Sequence, residues 1–445
     1  MTEESLFHLV EAALAQGAEA AEIYHLVQDS TLVDIKEGKI DTLSAARQTG
    51  IGLRVLERQR MGFAFASHLS RENRNVLIQE ALAAARASHP DRFLRIPLPS
   101  PSPYPEVEAY DASLKTMDLD ERVAFAREVE GTARKFDPRV SKVRHCLYRD
   151  SDYSVTILNS QGLKAQARGT HCACSLEVVA EEKGSSETGW DMQSSSFFSD
   201  LRGEEVGRRA AEQAVRMLGA KVLPTTFAEA IFSPAVAAEF FEVVSSALLG
   251  DAVQKGRSLF QDKVGNEVAS RCLTLVDDGL LSHGSDSFPF DDEGNPSQRT
   301  PLIESGILKG FLYDSYSGAR QGRASTGNAR RAGFQSPPQI TVTNLYLVPG
   351  SRTGSKMLKD VSKGALILAL MGMHTANPIS GDFSVGVEGL WIEGGKIRRP
   401  FRGMTIAGNI RDWLRSLVEV GSDLRFFGSC GSPSLRVSEI QFAGS

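Results

Sequence analysis

Five prolines at alternating positions, Pro97, Pro99, Pro101, Pro103 and Pro105, draw the first boundary in this chain of 445 residues. Each removes a backbone donor and restricts the residue before it, which excludes the segment from regular helix and from a central strand. Residues 97–117 are therefore expected to form a stiff linker between two mixed units, residues 1–96 and 118–223. Residues 224–445 change texture to short strands separated by glycine, which predicts a separate β-rich domain with few helices. The fold class expected is α+β, and the length alone asks for two or three domains.

In the first unit, Leu6, Leu9, Val10, Ala13 and Leu14 recur at helical spacing, so residues 4–16 should form an amphipathic helix ended by Gly17. Short strands are expected at 23–27, 31–36 and 39–44, with Glu37-Gly38 as a hairpin turn, then alternating strand over 49–66 and helix over 72–88. After the prolines, Asp118 and Glu121 are spaced as a capping pair ahead of a stripe of Leu119, Val123, Ala126, Val129, Ala133 and Phe136. Strands should follow over 140–181 and a helix over 203–218, repeating the order helix, strands, helix. That order suggests a distant internal duplication, although no residue pattern repeats. In the C-terminal part, helices are expected at 235–249, 355–362 and 409–419.

Fifty basic residues against 55 acidic ones give a formal net charge of −5, which offers no general attraction for a polyanion. Without a helical basic face either, direct nucleic-acid binding is disfavoured. No apolar run approaches the roughly 20 residues needed to span a bilayer. The N-terminus lacks a basic region ahead of an apolar one, so a cytoplasmic protein is expected. Five cysteines do not form a disulfide framework and suit a reducing compartment.

Several clusters resemble sites. His145-Cys146 and His171-Cys172-Ala173-Cys174 carry metal-ligand residue types, but in an extended strand Cys172 and Cys174 share one face while His171 points the other way. Small buried thiols are the favoured reading. The stretch Gly318 to Arg331 holds four arginines and no acid. Arg323, Asn328, Arg330 and Arg331 could hold a carboxylate or phosphate, contact a peptide or partner, or pair with Asp277-Asp278 and Asp291-Asp292-Glu293. Those acidic turns lack the spacing of a calcium loop. Cys430 sits between glycines in Gly428-Ser429-Cys430-Gly431, and His374 follows Gly372-Met373. Both are weak metal-ligand candidates, a lone cysteine being more often structural. There is no nucleophile elbow, dinucleotide fingerprint, P-loop or His-Glu-x-x-His helix.

The helix at 235–249 is largely apolar, with Val236, Phe240, Val243, Val244, Ala247 and Leu248 at three- and four-residue steps and Pro234 at its start. It nevertheless carries Glu239 and Glu242, which is costly unless these are paired, hydrogen-bonded or functional. Seven short motifs in order, Asp291-Asp292-Glu293-Gly294, Glu304-Ser305-Gly306 leading to Tyr313-Asp314, Ser325 to Arg330, Thr343-Asn344, Ile379 to Phe383, Glu393-Gly394-Gly395 and Gly408-Asn409, resemble the TldD/PmbA family. The likeness spans nearly the whole chain and is densest from Gly250 to Gly431.

That resemblance implies a cytoplasmic prokaryotic protein of a family once described as modulators of DNA gyrase and including a zinc metalloprotease of TldD and TldE (PmbA) subunits. The catalytic TldD branch carries His-Glu-x-x-x-His on this helix and a C-terminal cysteine at the zinc. The matching positions here are Phe241, Glu242 and Ser246, with Cys430 at the cysteine position. Glu242 fits the family glutamate and both imidazoles are missing, so the resemblance points to the TldE/PmbA branch, with no catalytic residue and no metal expected in this chain. It further implies zinc in a TldD-like catalytic subunit as partner, peptides or unfolded proteins as substrate, and a dimer enclosing a cavity; a homodimer is also allowed. Two rivals remain at this point: a metallopeptidase acting alone through His374, Cys430 and Glu242, and a nonenzymatic protein that binds DNA gyrase or a toxin partner.

Overall fold

A computed structural model describes residues 2–444. Helix α1 (Glu3–Ala15) starts where the Thr2 hydroxyl accepts from the Ser5 N–H at 3.3 Å, and it buries Leu6, Leu9, Val10 and Ala13 of the predicted stripe, while Leu14, at the edge of that face, is exposed. Strands β1 (Ala20–Lys36), β2 (Lys39–Glu57) and β3 (Arg60–Ala66) and helix α2 (Arg71–Ala87) follow. Glu37 and Gly38 both have positive φ, 54° and 74°, the geometry of a tight hairpin turn whose twist matches its strands. The three short strands expected here are instead two long ones of 17 and 19 residues. The polar run Gln28 to Thr31 does not interrupt β1, because β1 is hydrogen-bonded to β2 on one side and to another long strand on the other.

Asp118 and Glu121 form the predicted reciprocal cap, at 2.8 and 3.0 Å, at the head of α3 (Leu119–Phe136). Strands β4 (Val140–Asn159), β5 (Lys164–Glu182) and β6 (Ser185–Ser195) and helix α4 (Gly203–Met217) complete the second unit. The two units share one antiparallel sheet of order β3-β2-β1-β4-β5-β6, with the first strand of each at the centre. The order α-β-β-β-α thus occurs twice about the β1–β4 pair. A residue-level trace of the repeat lies in two glycines. A Cβ on Gly62 of β3 would meet the Ala81 carbonyl of α2 at 1.9 Å, and one on Gly189 of β6 would meet the Ala210 carbonyl of α4 at 2.0 Å. In each unit only glycine lets the third strand approach its closing helix so closely.

Residues 97–111 have neither helix nor strand, as the prolines require, and a 3-10 turn follows at Ala112–Lys115; Leu98, Pro99 and Pro101 to Pro103 are exposed, but the segment is anchored at intervals. Its Pro97 carbonyl accepts from Asn159 at 2.8 Å, the Ala109 carbonyl accepts from the Thr170 N–H at 3.0 Å, and the Tyr104 hydroxyl donates to the Gly294 carbonyl at 2.8 Å. One face of the sheet is covered by the helices. The other presents Tyr24, Leu26, Val155, Ile157 and Ala165 to Phe288, Phe290 and Phe334 of the C-terminal half.

That half is built from a small two-stranded sheet, in which Ala329–Arg330 pairs with Gln339–Ile340, and two six-stranded sheets. One has the order Lys396–Asn409, Asp382–Glu393, Lys363–Met371, β7 (Thr226–Phe232), Leu435–Phe442 and Leu417–Val420. The other has the order Ile307–Leu308, Arg299–Glu304, Leu275–Asp278, Leu345–Leu347, Cys430–Ser432 and Arg425–Phe427. Helix α5 (Pro234–Ala247) packs against strands of both and lies in the largest core. Short helices at Gly250–Gln254 and Ser315–Gln321 were not anticipated. The helix expected at 409–419 stops at Arg415, because Leu417–Val420 pairs with Leu435–Val437 instead.

Candidate functional site

Helix α5 points two different sets of residues in two directions. Phe240 stacks on Trp413 with ring centres 4.3 Å apart and meets Phe232 and Phe383 edge-on, while Phe241 is fully buried beside the same indole. Glu242 is exposed and Glu239 is half-buried on the other side. Burial and the neighbouring Glu242 push the Glu239 carboxyl up to about 7, and burial raises Glu242 as well. The Ser246 hydroxyl is turned back on its own helix and donates to the Val243 carbonyl at 2.8 Å. Cys430, 2 % exposed on its strand, is near enough to Glu242 to feel its charge; burial first, and then Glu242, Asp277 and Asp286, push its thiol up to about 12. It is therefore a protonated buried thiol, with little thiolate for nucleophilic attack.

His374 is exposed in a short turn, Met373–Thr375. Among the described residues no three His, Cys, Asp or Glu side chains are grouped so as to hold a metal ion, and His374 is not brought together with Glu242 and Cys430 in such a group. Cys146, Cys172 and Cys174 are buried in the core under α3 and α4; the first and second thiols lie 3.1 and 3.3 Å from the Ala126 and Ser195 carbonyls. His145 faces away and pairs with Asp34 at 3.2 Å.

The four residues of the arginine stretch have separate fates. Arg323 is exposed. Asn328 is buried and donates to Asp277 at 2.7 Å, so it is taken up inside the fold. Arg331 is also taken up: it donates to Glu22 at 2.8 Å, with both side chains fully buried, and to the Asp292 and Ser336 carbonyls. Glu22 in turn accepts from Arg54 at 2.8 Å, and Arg54 donates to Glu293 at 2.7 Å. Four buried charges of alternating sign thus join the central sheet to the C-terminal half. Burial raises Glu293, but Arg54 and Ser315 outweigh it and leave its carboxyl below the usual range. Asp291, buried beside Glu293, is pushed up to about 7.

Arg330 and Arg331 both line a cavity of about 400 Å³ between the sheet and the C-terminal half, with Tyr24, Tyr153, Asp286, Asp292 and Ser429. The Arg331 side chain, however, is fully buried and taken up by Glu22, which leaves Arg330 as the guanidinium without an ion pair among the described residues. Glu22, Arg54 and Asp286 escaped the reading of the sequence. Glu22 and Arg54 carried a signal, since each is a lone charge in an otherwise apolar stretch, Ala20 to Ile23 and Ile51 to Leu56. Asp286 carried none.

With this geometry in view, comparison with known families is decisive. Residues 21–85, 112–218 and 225–444 match, in order, domain 1, the central domain and the C-terminal domain of the PmbA/TldA metallopeptidases. The chain belongs to the PmbA/TldD metallopeptidase family. It is 29 % identical over 442 residues to the metalloprotease PmbA of Escherichia coli O157:H7, covering 97 % of this chain and 94 % of that one. To a Haemophilus influenzae metalloprotease TldD homolog it is 28 % identical over 479 residues, covering 100 % and 97 %. A Thermotoga maritima structure assigned as a modulator of a DNA gyrase superposes with a TM-score of 0.91 at 27 % identity, covering 99 % and 100 %. Overall identity therefore does not separate the PmbA and TldD branches; particular residues must.

Among the described residues no helix is long and apolar enough to cross a membrane. A metallopeptidase zinc needs about four N, O or S donors, most often with imidazoles among them. Around α5 this family member offers the Glu242 carboxylate and the Cys430 thiol, while Phe241 and Ser246 supply no imidazole and one is locked in an aromatic core. That donor set does not fit the metal.

Proposed function

We propose that this chain is the PmbA/TldE-type, noncatalytic subunit of a heteromeric peptidase. Its TldD-like partner would hold zinc and activate water, and this chain would complete and restrict the space in which peptides and unfolded proteins are cut. The observation that carries the reading is the state of α5. The position of one family histidine is a phenylalanine built into the Phe240–Trp413 cluster, and the other is a serine bonded to its own helix. Glu242 remains exposed but has no metal-bound water to act on.

In this reading the substrate enters extended, because main-chain hydrogen bonds can be made to almost any sequence. Arg330 and the exposed Arg323 are the arginines left to meet a substrate or the partner. Elemental analysis of the chain purified alone tests the proposal. The expected result is no stoichiometric zinc; zinc bound one-to-one and lost in Cys430→Ala would refute it.

A further inference from the structure

The cavity at Arg330 is built rather than incidental. The backbone on both sides of Arg330 is pinned by buried acids: the Ala329 N–H donates to Asp291 at 3.1 Å, the Asp292 N–H to the Ala329 carbonyl at 2.8 Å, and the Arg331 N–H to Asp292 at 2.7 Å. Arg331 is then locked into Glu22. The Arg330 guanidinium is thus presented from a fixed backbone, yet it makes one hydrogen bond, from Nη2 to the Asp286 carbonyl at 2.9 Å, and no ion pair among the described residues. Its four other N–H donors are free for a ligand.

Acceptors are presented in the same way. Asp286 is held through its N–H, which donates to Asn344 at 3.2 Å, while its carboxylate accepts no hydrogen bond among the described residues; burial raises it and the nearby Arg330 charge opposes that rise. On the sheet side Tyr153 lines the cavity with its ring stacked on Phe288 at 5.7 Å, and its hydroxyl makes no hydrogen bond among the described residues.

The charges decide what fits. Arg330 stands with two carboxylates, Asp286 and Asp292, while the charge of Arg331 is already matched by Glu22. A ligand carboxylate would be drawn to Arg330 but repelled by two acids, and a ligand ammonium would meet the guanidinium. A neutral group that accepts on one side and donates on the other satisfies both, and the peptide bond is such a group. The cavity also lies in the right place: Ser429 lines it, and the next residue, Cys430, is within electrostatic reach of both Asp286 and Glu242. Its volume is within the range of ligand sites.

We infer that this cavity is a main-chain subsite for an extended polypeptide, in which Arg330 donates to a peptide carbonyl and Asp286 accepts from a peptide N–H. The inference rests on the peptide-chamber reading above and adds to it a sequence-independent contact made by this chain.

The test uses fluorescein-labelled unfolded peptides, one neutral and one glutamate-rich, with the chain alone by anisotropy and with its TldD-like partner by cleavage. Arg330→Gln and Asp286→Asn should each weaken binding and raise KM by about tenfold, the worth of one hydrogen bond, for both peptides alike. A neutral peptide N-methylated along its backbone should bind the unaltered chain as weakly, which makes the result independent of how well either variant folds. If Asp286→Asn tightens the glutamate-rich peptide while Arg330→Gln weakens only that one, the cavity is an anion site and the inference is wrong. Variants that match the unaltered chain while that chain still changes the partner's cleavage would overturn the subsite and leave the subunit role standing. No peptide binding by the chain and no effect on the partner would end both.

Discussion

The buried chain Arg331–Glu22–Arg54–Glu293 gives a prediction that can be worked through. Glu22 is fully buried and accepts two guanidinium bonds of 2.8 Å, so Glu22→Ala removes two charge-assisted hydrogen bonds and leaves a net positive charge in the interior. Each such bond is worth roughly 1.5–3 kcal/mol, and breaking a buried ion pair from one side costs roughly 3–5 kcal/mol, so a loss of about 4 kcal/mol is expected. With an unfolding entropy of roughly 2.1 cal/mol/K per residue over 445 residues, that is a fall of about 4 °C in thermal midpoint for cooperative unfolding. The control is the more exposed pair Arg144–Glu177 at 2.8 Å, where Glu177→Ala should cost no more than about 1 kcal/mol. Adding Arg331→Met to Glu22→Ala removes one stranded charge and should recover part of the loss, which a double-mutant cycle in urea would register. If Glu22→Ala and Glu177→Ala cost the same, the ion chain does not hold the two halves together and the reasoning fails.

Three further outcomes follow from the same structure. Gly62→Ala and Gly189→Ala should each destabilise by about 3 kcal/mol or more in urea unfolding, since the new methyl meets helix backbone near 2 Å, whereas Gly131→Ala, mid-α3 with open space, should stabilise by about 0.5–1 kcal/mol. Because the Glu239 carboxyl is raised in the fold to about 7, the native state binds more protons than the unfolded one between the ordinary value and that pH, and stability should drop as pH rises through the window. Glu239→Gln should therefore have a higher urea midpoint than the parent at pH 8, with the difference vanishing near pH 4; equal pH profiles would contradict this. Of the five cysteines only Cys272 is exposed, so one thiol should react quickly with a disulfide reagent in the native protein and all five after denaturation.

Much of the fold was legible because local signals agreed with their surroundings. The Asp118–Glu121 cap, the Glu37-Gly38 turn and the stripes of α1, α3 and α5 are decided by residues within a few positions of each other. The length of β1 and β2 was not legible, since polar residues in mid-strand are tolerated only once neighbouring strands supply both edges. The helical reading of Leu417 failed for the same reason: its periodicity was right, but a distant strand claims its backbone.

At the site, the phenylalanine and serine on α5 could be read directly, and the buried thiols were anticipated from strand geometry. The arginine stretch could not be resolved from composition, because its outcome depends on partners hundreds of positions away. Arg331 finds Glu22, 309 residues distant, while its neighbour Arg330 is left facing a cavity. Adjacent residues of one type thereby take different roles.

The central claim is that this chain acts in proteolysis without being the catalyst. The most direct measurement is cleavage of an unfolded polypeptide by this chain alone, by a TldD-like subunit alone, and by an equimolar mixture. No cleavage by this chain and a changed rate or product pattern in the mixture is the predicted result. Cleavage by this chain alone, abolished by a chelator, would contradict it.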